Sequence, residues 1–520
     1  MCQRIAGFAV GVLLAVVVAS SDATGVRAQT AASDPLSGRP LPAKTTASAR
    51  LMRTARRQLF AFRMGPAKAT LNRLAARPDG AAAATHHRAL MALLKGLVTD
   101  DEAHFDAFFE RADALGERLD DAPDGPWKRY LRAETALLRV IARVKTGSHT
   151  RAAWAARSAF GRYEDLAENP RSPARADALM GQGLLHTVVG SLPEPWRGLL
   201  SFLGFDGSVT QGRAELAQAA TQSRLHQLPA GLMLALADLA LFRDAEKARQ
   251  RLARWHRKRP KSLLVAHLYG LALLNTHRAT EAARVLRAAL ERAATPAYFY
   301  LEYLDYYRAQ ALFRTDDFEG AARHYRRYLS RHDGAALRAK AHLRLGEALE
   351  MQGCRREALR HYRKVETARD FDSDRAARRG AAKRLDAPMT PRQRTLLLGQ
   401  NAYDAGRYAR ADSLLTRVFE APDATAAERG EAAYRRGRVY QAQKRWNKAR
   451  RAYRFAVRRP GDPKAKWAPW GQFYLGEIHE AQGRPAKARA AYRKALDEEN
   501  FDYAQSLEQS ARSALARLEQ

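Results

Sequence analysis

Leu343–Tyr362 reads LRLGEALEMQGCRREALRHY, and Tyr474–Tyr492 reads YLGEIHEAQGRPAKARAAY. Each carries a Leu-Gly pair, a second glycine seven residues later, an alanine five beyond that and a tyrosine four further on. Apolar and small residues recur at steps of three and four on both sides of the second glycine, the period of an α-helix, and that glycine ends one helix before the next begins. Two antiparallel helices approach closely only where their facing residues are small. The Leu-Gly glycine and the alanine therefore mark the crossing, and the tyrosine fills the space beside it.

The same alanine recurs at Ala248, Ala282, Ala321, Ala358, Ala411, Ala449 and Ala488, with successive differences of 34, 39, 37, 53, 38 and 39. A period of 34 with this order of small and large residues is that of the tetratricopeptide repeat, and 37–39 is the same unit with longer turns. The gap of 53 holds an extra basic segment around Asp370–Pro391. Gly270, Gly346, Gly399, Gly437 and Gly476 occupy the small position of the first helix, with Leu236 and Ala309 in the other two repeats. No alternating strand pattern occurs anywhere. The fold class expected is all-α: a right-handed tetratricopeptide-repeat solenoid of helical hairpins.

Outward from the array, the 520-residue chain divides as follows. Arg4 precedes the apolar run IAGFAVGVLLAVVVA (Ile5–Ala19) and a small-residue site ending at Ala28, the layout of a secretory signal peptide over 1–28. The run is shorter than the about 20 residues of a membrane span. Residues 29–49 read as a flexible tether. Helical hairpins with weaker repeat signatures fill 50–223, interrupted at 190–208 by an apolar, proline- and glycine-bearing insert expected to cap the neighbouring hairpin. Arrays follow over 224–388 and 389–520. Signal cleavage removes Cys2 and leaves Cys354 alone, so no internal disulfide is expected.

The segments ETALLRVIARVKTGSHTRAAWAARSAF and GLLHTVVGSLPEPWRGLLSFLGFDGSVTQGRAEL, with their G-S-L-P…G-F-x-G signature, and the closing WAPWGQFYLGEIHEAQGRPAKARAAYRKALDEENFDYAQSLEQSARSALARL resemble a group of exported bacterial tetratricopeptide proteins. They are also similar to the eukaryotic tetratricopeptide-39, or inclusion-body-clearance, family, over most of residues 130–520. The resemblance implies an interaction protein without enzymatic activity, and it carries no catalytic residues over.

The charge is lopsided: 89 Lys and Arg against 55 Asp and Glu, a formal net charge of +34. That favours anionic partners, but export argues against nucleic acid. The repeat register places Tyr303, Tyr306, Gln310, Phe313 and Arg314 on the concave side, followed by Tyr403, Tyr434, Arg438, Trp470 and Phe473. This groove of aromatic and polar residues is suited to a peptide or a helix. The second helices concentrate arginine instead: Arg254 and Arg257, then Arg323, Arg326 and Arg327, then Arg355 and Arg356, then Arg450 and Arg451. These form a convex basic face for an anionic envelope surface. His86-His87 and His186 have no Cys, His or carboxylate at ligand spacing, so neither metal nor cofactor is expected. No G-x-S-x-G, phosphate loop or H-E-x-x-H is present. The function expected is therefore a non-enzymatic, exported, envelope-associated scaffold holding a protein or peptide in its groove. The alternative is a peripheral binder of an anionic membrane or glycan through the arginine face.

Overall fold

A computed structural model describes residues 46–191, 207–242, 244–367, 372–458, 465–498 and 501–519. The signal peptide expected over 1–28, all but the last residues of the tether, and 192–206 of the apolar insert lie outside the described residues. Among those described, every regular element is helical, which is the all-α tetratricopeptide architecture expected.

The helices run as hairpins in chain order. They are α1 (Ala47–Phe60) with α2 (Met64–Ala75), α3 (Ala81–Thr99) with α4 (Glu102–Asp120), α5 (Pro126–Lys145) with α6 (His149–Glu168), and α7 (Arg175–Gly190) with α8 (Val209–Gln222). Next come α9 (Gln227–Ala240) with α10 (Ala245–Lys258), α11 (Leu263–Asn275) with α12 (Ala279–Ala293), α13 (Tyr303–Arg314) with α14 (Phe318–Arg331), and α15 (Arg338–Met351) with α16 (Arg355–Arg363). An unpaired α17 (Asp372–Asp386) fills the long gap in the repeat. After it come α18 (Pro391–Asp404) with α19 (Tyr408–Glu420), α20 (Ala426–Ala442) with α21 (Trp446–Arg458), α22 (Trp467–Ala481) with α23 (Pro485–Leu496), and a closing α24 (Ala504–Glu519). The chain forms two compact units: one holds the described residues up to Thr276 with Val285–Leu304, the other His277–Arg284 with everything from Asp305 onward.

One packing rule recurs. A Cβ placed on Gly346, Gly437 or Gly476 would meet the ring of Tyr362, Tyr453 or Tyr492, sixteen residues on, at 2.4, 2.5 and 2.5 Å. Leu286 and Leu415 stand in the same relation to Gly270 and Gly399, both at 2.7 Å. Each tyrosine hydroxyl then donates to the residue twelve back on the first helix: Tyr362 to Glu350 at 2.7 Å, Tyr453 to Gln441 at 2.6 Å and Tyr492 to Glu480 at 2.6 Å. The ring supplies the apolar filling and the buried hydroxyl still finds an acceptor. Seven residues after the small position the chain turns through the left-handed region in each of the six repeats from Gly270 onward. Glycine does this at Gly353, Gly406 and Gly483, whereas His277, Asp316 and Lys444 do it with side chains. Caps fix the starts: Thr390 and Thr425 each close a capping box, with Gln393 and Glu428.

The second unit departs from a simple stack. The Met389 amide donates to Glu350 Oε1 at 2.7 Å, at the turn of the α15–α16 hairpin. Twelve residues after Met389, on α18, Asn401 Nδ2 donates to the Phe313 carbonyl at 2.7 Å and to Asp316 Oδ1 at 3.1 Å, at the α13–α14 turn. Two residues further, Tyr403 meets the His277 ring at 4.4 Å. Helix α18 therefore lies across the tips of the preceding hairpins instead of continuing their stack. At the far end, Arg379 on α17 pairs with Asp502 just before α24.

Candidate functional site

The strip that α18, α20 and α22 present on their first-helix faces is built by the repeat itself. Side chains one repeat apart come level and join by hydrogen bonds. Arg435 donates to Gln400, Arg438 donates to Tyr403 at 3.0 Å and to Tyr474 at 2.7 Å, and Gln441 donates to Glu477 at 2.9 Å. The Arg438 guanidinium lies 4.3 Å from the Tyr474 ring centroid, and Tyr434 packs on Trp467 at 5.1 Å. Lys466 closes the strip, its ammonium 4.7 Å from the Tyr503 ring. Burial, then Arg435 and Arg438, bring the Lys466 amine down to about 7. Burial pushes the Tyr403 hydroxyl up to about 12, so it stays protonated while accepting from Arg438. Gln400, Arg435, Arg438, Gln441, Trp470 and Glu477 all remain partly exposed. Tyr403, Tyr434 and Tyr474 are 9%, 6% and 6% exposed and back the strip from within, so its partly exposed Trp467 and Trp470, amides and charges are what can stack on and hydrogen-bond to an extended or helical polypeptide.

The residues expected to form a single groove have different fates. Tyr403, Tyr434 and Arg438 belong to the strip, with Trp470 beside it, edge-on to Phe473 at 5.5 Å. Tyr306, Phe313 and Phe473 are 1%, 3% and 1% exposed. Tyr306 packs edge-on to Tyr325 and Tyr328 inside its own hairpin and takes a hydrogen bond from Gln310 at 2.8 Å. Phe313 sits edge-on to Phe318, and Phe473 lies against Tyr492. These three are core. Tyr303 is half-buried, its ring 6.0 Å from that of His267, and Arg314 faces Asp404 at 3.8 Å. The register did not single out Tyr474 and Arg435. Both stand two residues before a repeat glycine, on the same face as the residue just after that glycine, so the pattern carries the signal.

The outer arginines also divide. Arg323 pairs with Glu319 at 3.2 Å, Arg326 with Glu357 at 2.7 Å, Arg327 with Asp305 at 3.8 Å and Arg355 with Glu350 at 3.2 Å. Arg450 donates to Asn447 at 2.6 Å. Arg254, Arg257, Arg356 and Arg451 are exposed.

In the first unit the histidines have carboxylate partners that spacing along the chain did not show. His86 Nε2 lies 3.2 Å from Glu134, His226 Nε2 lies 3.4 Å from the other Glu134 oxygen, and His186 Nδ1 lies 2.6 Å from Glu215. Arg56 reaches His87 at 3.1 Å, and Tyr130 bonds His226. His86 and Glu134 come from different hairpins, whereas His186 and Glu215 face each other within the α7–α8 hairpin. Burial drives the His226 ring down to about 3 and His87 well below its ordinary value. Among the described residues no group of three or more His, Cys, Asp or Glu could hold a metal ion. Cys354 is exposed at the start of α16. No described helix is long and apolar enough to cross a membrane.

A tetratricopeptide repeat family model matches residues 306–373 and 434–504, the second match taking in the second half of α20 and all of α22 but not α18. Repeats of this kind mark protein-interaction scaffolds. No curated protein matches the chain. Among solved structures, a tetratricopeptide repeat protein from Parabacteroides merdae is 14% identical over 55% of this chain and 97% of its own, with a TM-score of 0.24. The tetratricopeptide domain of P58(IPK) is 14% identical over 83% of this chain and 98% of its own, TM-score 0.22. The human IFIT1 dimer with PPP-AAAA is 13% identical over 79% and 90%, TM-score 0.31.

Proposed function

We propose that this chain is a non-enzymatic, exported scaffold that holds a polypeptide partner along the strip of α18, α20 and α22. The observation that carries the reading is the cross-repeat ladder Gln400–Arg435, Tyr403–Arg438–Tyr474 and Gln441–Glu477. Its side chains are fixed before any partner arrives, which lowers the entropy cost of binding. The coupling of three helices by one arginine gives the strip a defined spacing that a polypeptide can match. Export rests on the leader-like N-terminus, as does residence in the envelope or periplasm. The kinship with exported bacterial proteins and the tetratricopeptide-39 family rests on the segment likeness described above.

The test is to cross-link the chain in its native envelope, identify the polypeptide that accompanies it, and measure that polypeptide's affinity for a Gln400→Ala/Gln441→Ala/Glu477→Ala variant. These three side chains are partly exposed, so the variant is expected to fold, with circular dichroism as the check. Loss of binding by tenfold or more supports the strip. Unchanged affinity in a folded variant would remove it as the site.

A further inference from the structure

A concave cup of about 380 Å³ lies between α21, α22 and α23, and none of its lining residues belongs to the strip's polar ladder. Its rim carries Arg454 and Arg458 from α21 and Lys487 and Lys494 from α23, all exposed. Its floor is apolar: Leu475 and Ala491 are 7% and 6% exposed, beside the partly buried Val457. No Asp or Glu lines it. Among the described residues none of the four rim cations forms an ion pair, whereas Arg323 and Arg326 of an earlier hairpin are paired with glutamates.

A second outer dent, between α19 and the α20–α21 turn, shows the contrast. There Asp412 and Glu420 face Arg417 and Arg445, so charge is balanced within the dent. In the basic cup it is not. Like charges around a concave, partly dry opening raise the local potential and concentrate anions there. His479 sits in the same wall with its Nδ1 buried and without a hydrogen-bond partner. Its ring is held below its ordinary value by burial, then by Arg450, Arg484, Lys487 and Arg454, every one of them a cation.

We propose that this cup binds a phosphate-bearing amphiphile, its phosphate held by Arg454, Arg458, Lys487 and Lys494 and its apolar part resting on Val457, Leu475 and Ala491. Four flexible cations supply point-charge and forked donors for the phosphate oxygens. The floor adds apolar burial that an inorganic ion cannot use. The site is separate from the polypeptide strip, and it does not draw on the arginines of the earlier hairpins.

His479 supplies a local reporter, because an anion in the cup cancels the cations that lower it. The experiment follows the ring signals of the full chain, with His479 identified through His479→Gln. The probes are dihexanoylphosphatidic acid, dihexanoylphosphatidylcholine and inorganic phosphate. The phosphatidic acid is expected to raise the His479 titration midpoint and to bind at least tenfold more tightly than either comparison. Arg454→Glu/Lys494→Glu, two exposed positions, is expected to lose that binding at least tenfold. Vesicles of phosphatidylglycerol form a separate arm: movement of His479 on vesicles places the headgroup source in a bilayer, and movement only with the soluble probe places it in solution. Equal affinity for inorganic phosphate, binding that leaves His479 unmoved, or full binding by the double variant would each overturn the proposal.

Discussion

Replacing Gly437 by alanine adds one methyl group at the closest crossing of α20 and α21. The new Cβ would lie 2.5, 2.6 and 2.9 Å from Cε1, Cδ1 and Cζ of Tyr453, where carbon atoms ordinarily settle at about 3.5–4.0 Å. The ring must retreat by roughly 1 Å to restore contact distance. It has little room to do so, since Tyr453 is 0% exposed, stacked on Tyr474 at 5.6 Å and anchored by its hydroxyl on Gln441 at 2.6 Å. Overpacking of this kind costs about 1–3 kcal/mol. Alanine returns about 1 kcal/mol of helix propensity, leaving a net loss of about 0–2 kcal/mol. The control is Gly161→Ala, mid-way along α6, where a Cβ meets nothing within 4 Å; there only the propensity gain operates, up to about 1 kcal/mol. Urea unfolding followed by circular dichroism and tryptophan fluorescence reads both, comparing midpoints because a repeat array need not unfold in one step. Hydrogen exchange over α20 and α21 locates the loss. A midpoint for Gly437→Ala raised as far as that of Gly161→Ala would refute the close-approach reasoning for the whole series of repeat glycines.

Other outcomes follow from the same contacts. Burial holds His267 and His277 near 4 and His226 and His342 near 3, against about 6.5 in the unfolded chain. The folded state refuses protons that the unfolded state accepts, so stability is full above pH 6.5 and falls as the pH drops toward 4. Each such histidine costs at most about 2 kcal/mol at pH 5. A urea midpoint that stays level from pH 7 to pH 5 would contradict this. Lys444→Gly relieves a left-handed residue at φ 57°, and a rise in the midpoint worth about 0.5–1 kcal/mol is expected; a fall would count against strain at that turn. Asn401→Ala removes the side-chain donor to the Phe313 carbonyl, which keeps the Asp316 amide at 3.2 Å, and should destabilise the second unit by about 0.5–1.5 kcal/mol, with faster exchange along α18. Unchanged exchange there would deny α18 its place across the hairpin tips.

The hairpins, their turn residues and the Gly–Tyr crossings were legible in the sequence because each depends on residues within about sixteen positions, a range that helical periodicity controls. The path of α18 was not. Asn401 meets Phe313 across 88 residues, and no repeat pattern encodes where one hairpin's tip meets another's. The gap of 53 signalled the inserted helix α17 without showing that the next hairpin would turn aside. Face assignment failed by the width of one helix turn at Tyr306, Phe313 and Phe473, where an aromatic can serve core or groove equally well. The partners of His86 and His226 stayed hidden for a related reason: Glu134 stands on another hairpin, so spacing along the chain carries no trace of the contact.

The strip itself is tested most directly by a photo-reactive residue placed singly at Gln400, Trp470 and Glu477, and for comparison at the outer positions Arg417 and Ala490. If the strip holds the partner, the three inner positions cross-link to one and the same polypeptide in the native cell and the two outer positions do not. Cross-links to that polypeptide from the outer positions, with none from the inner three, would contradict it.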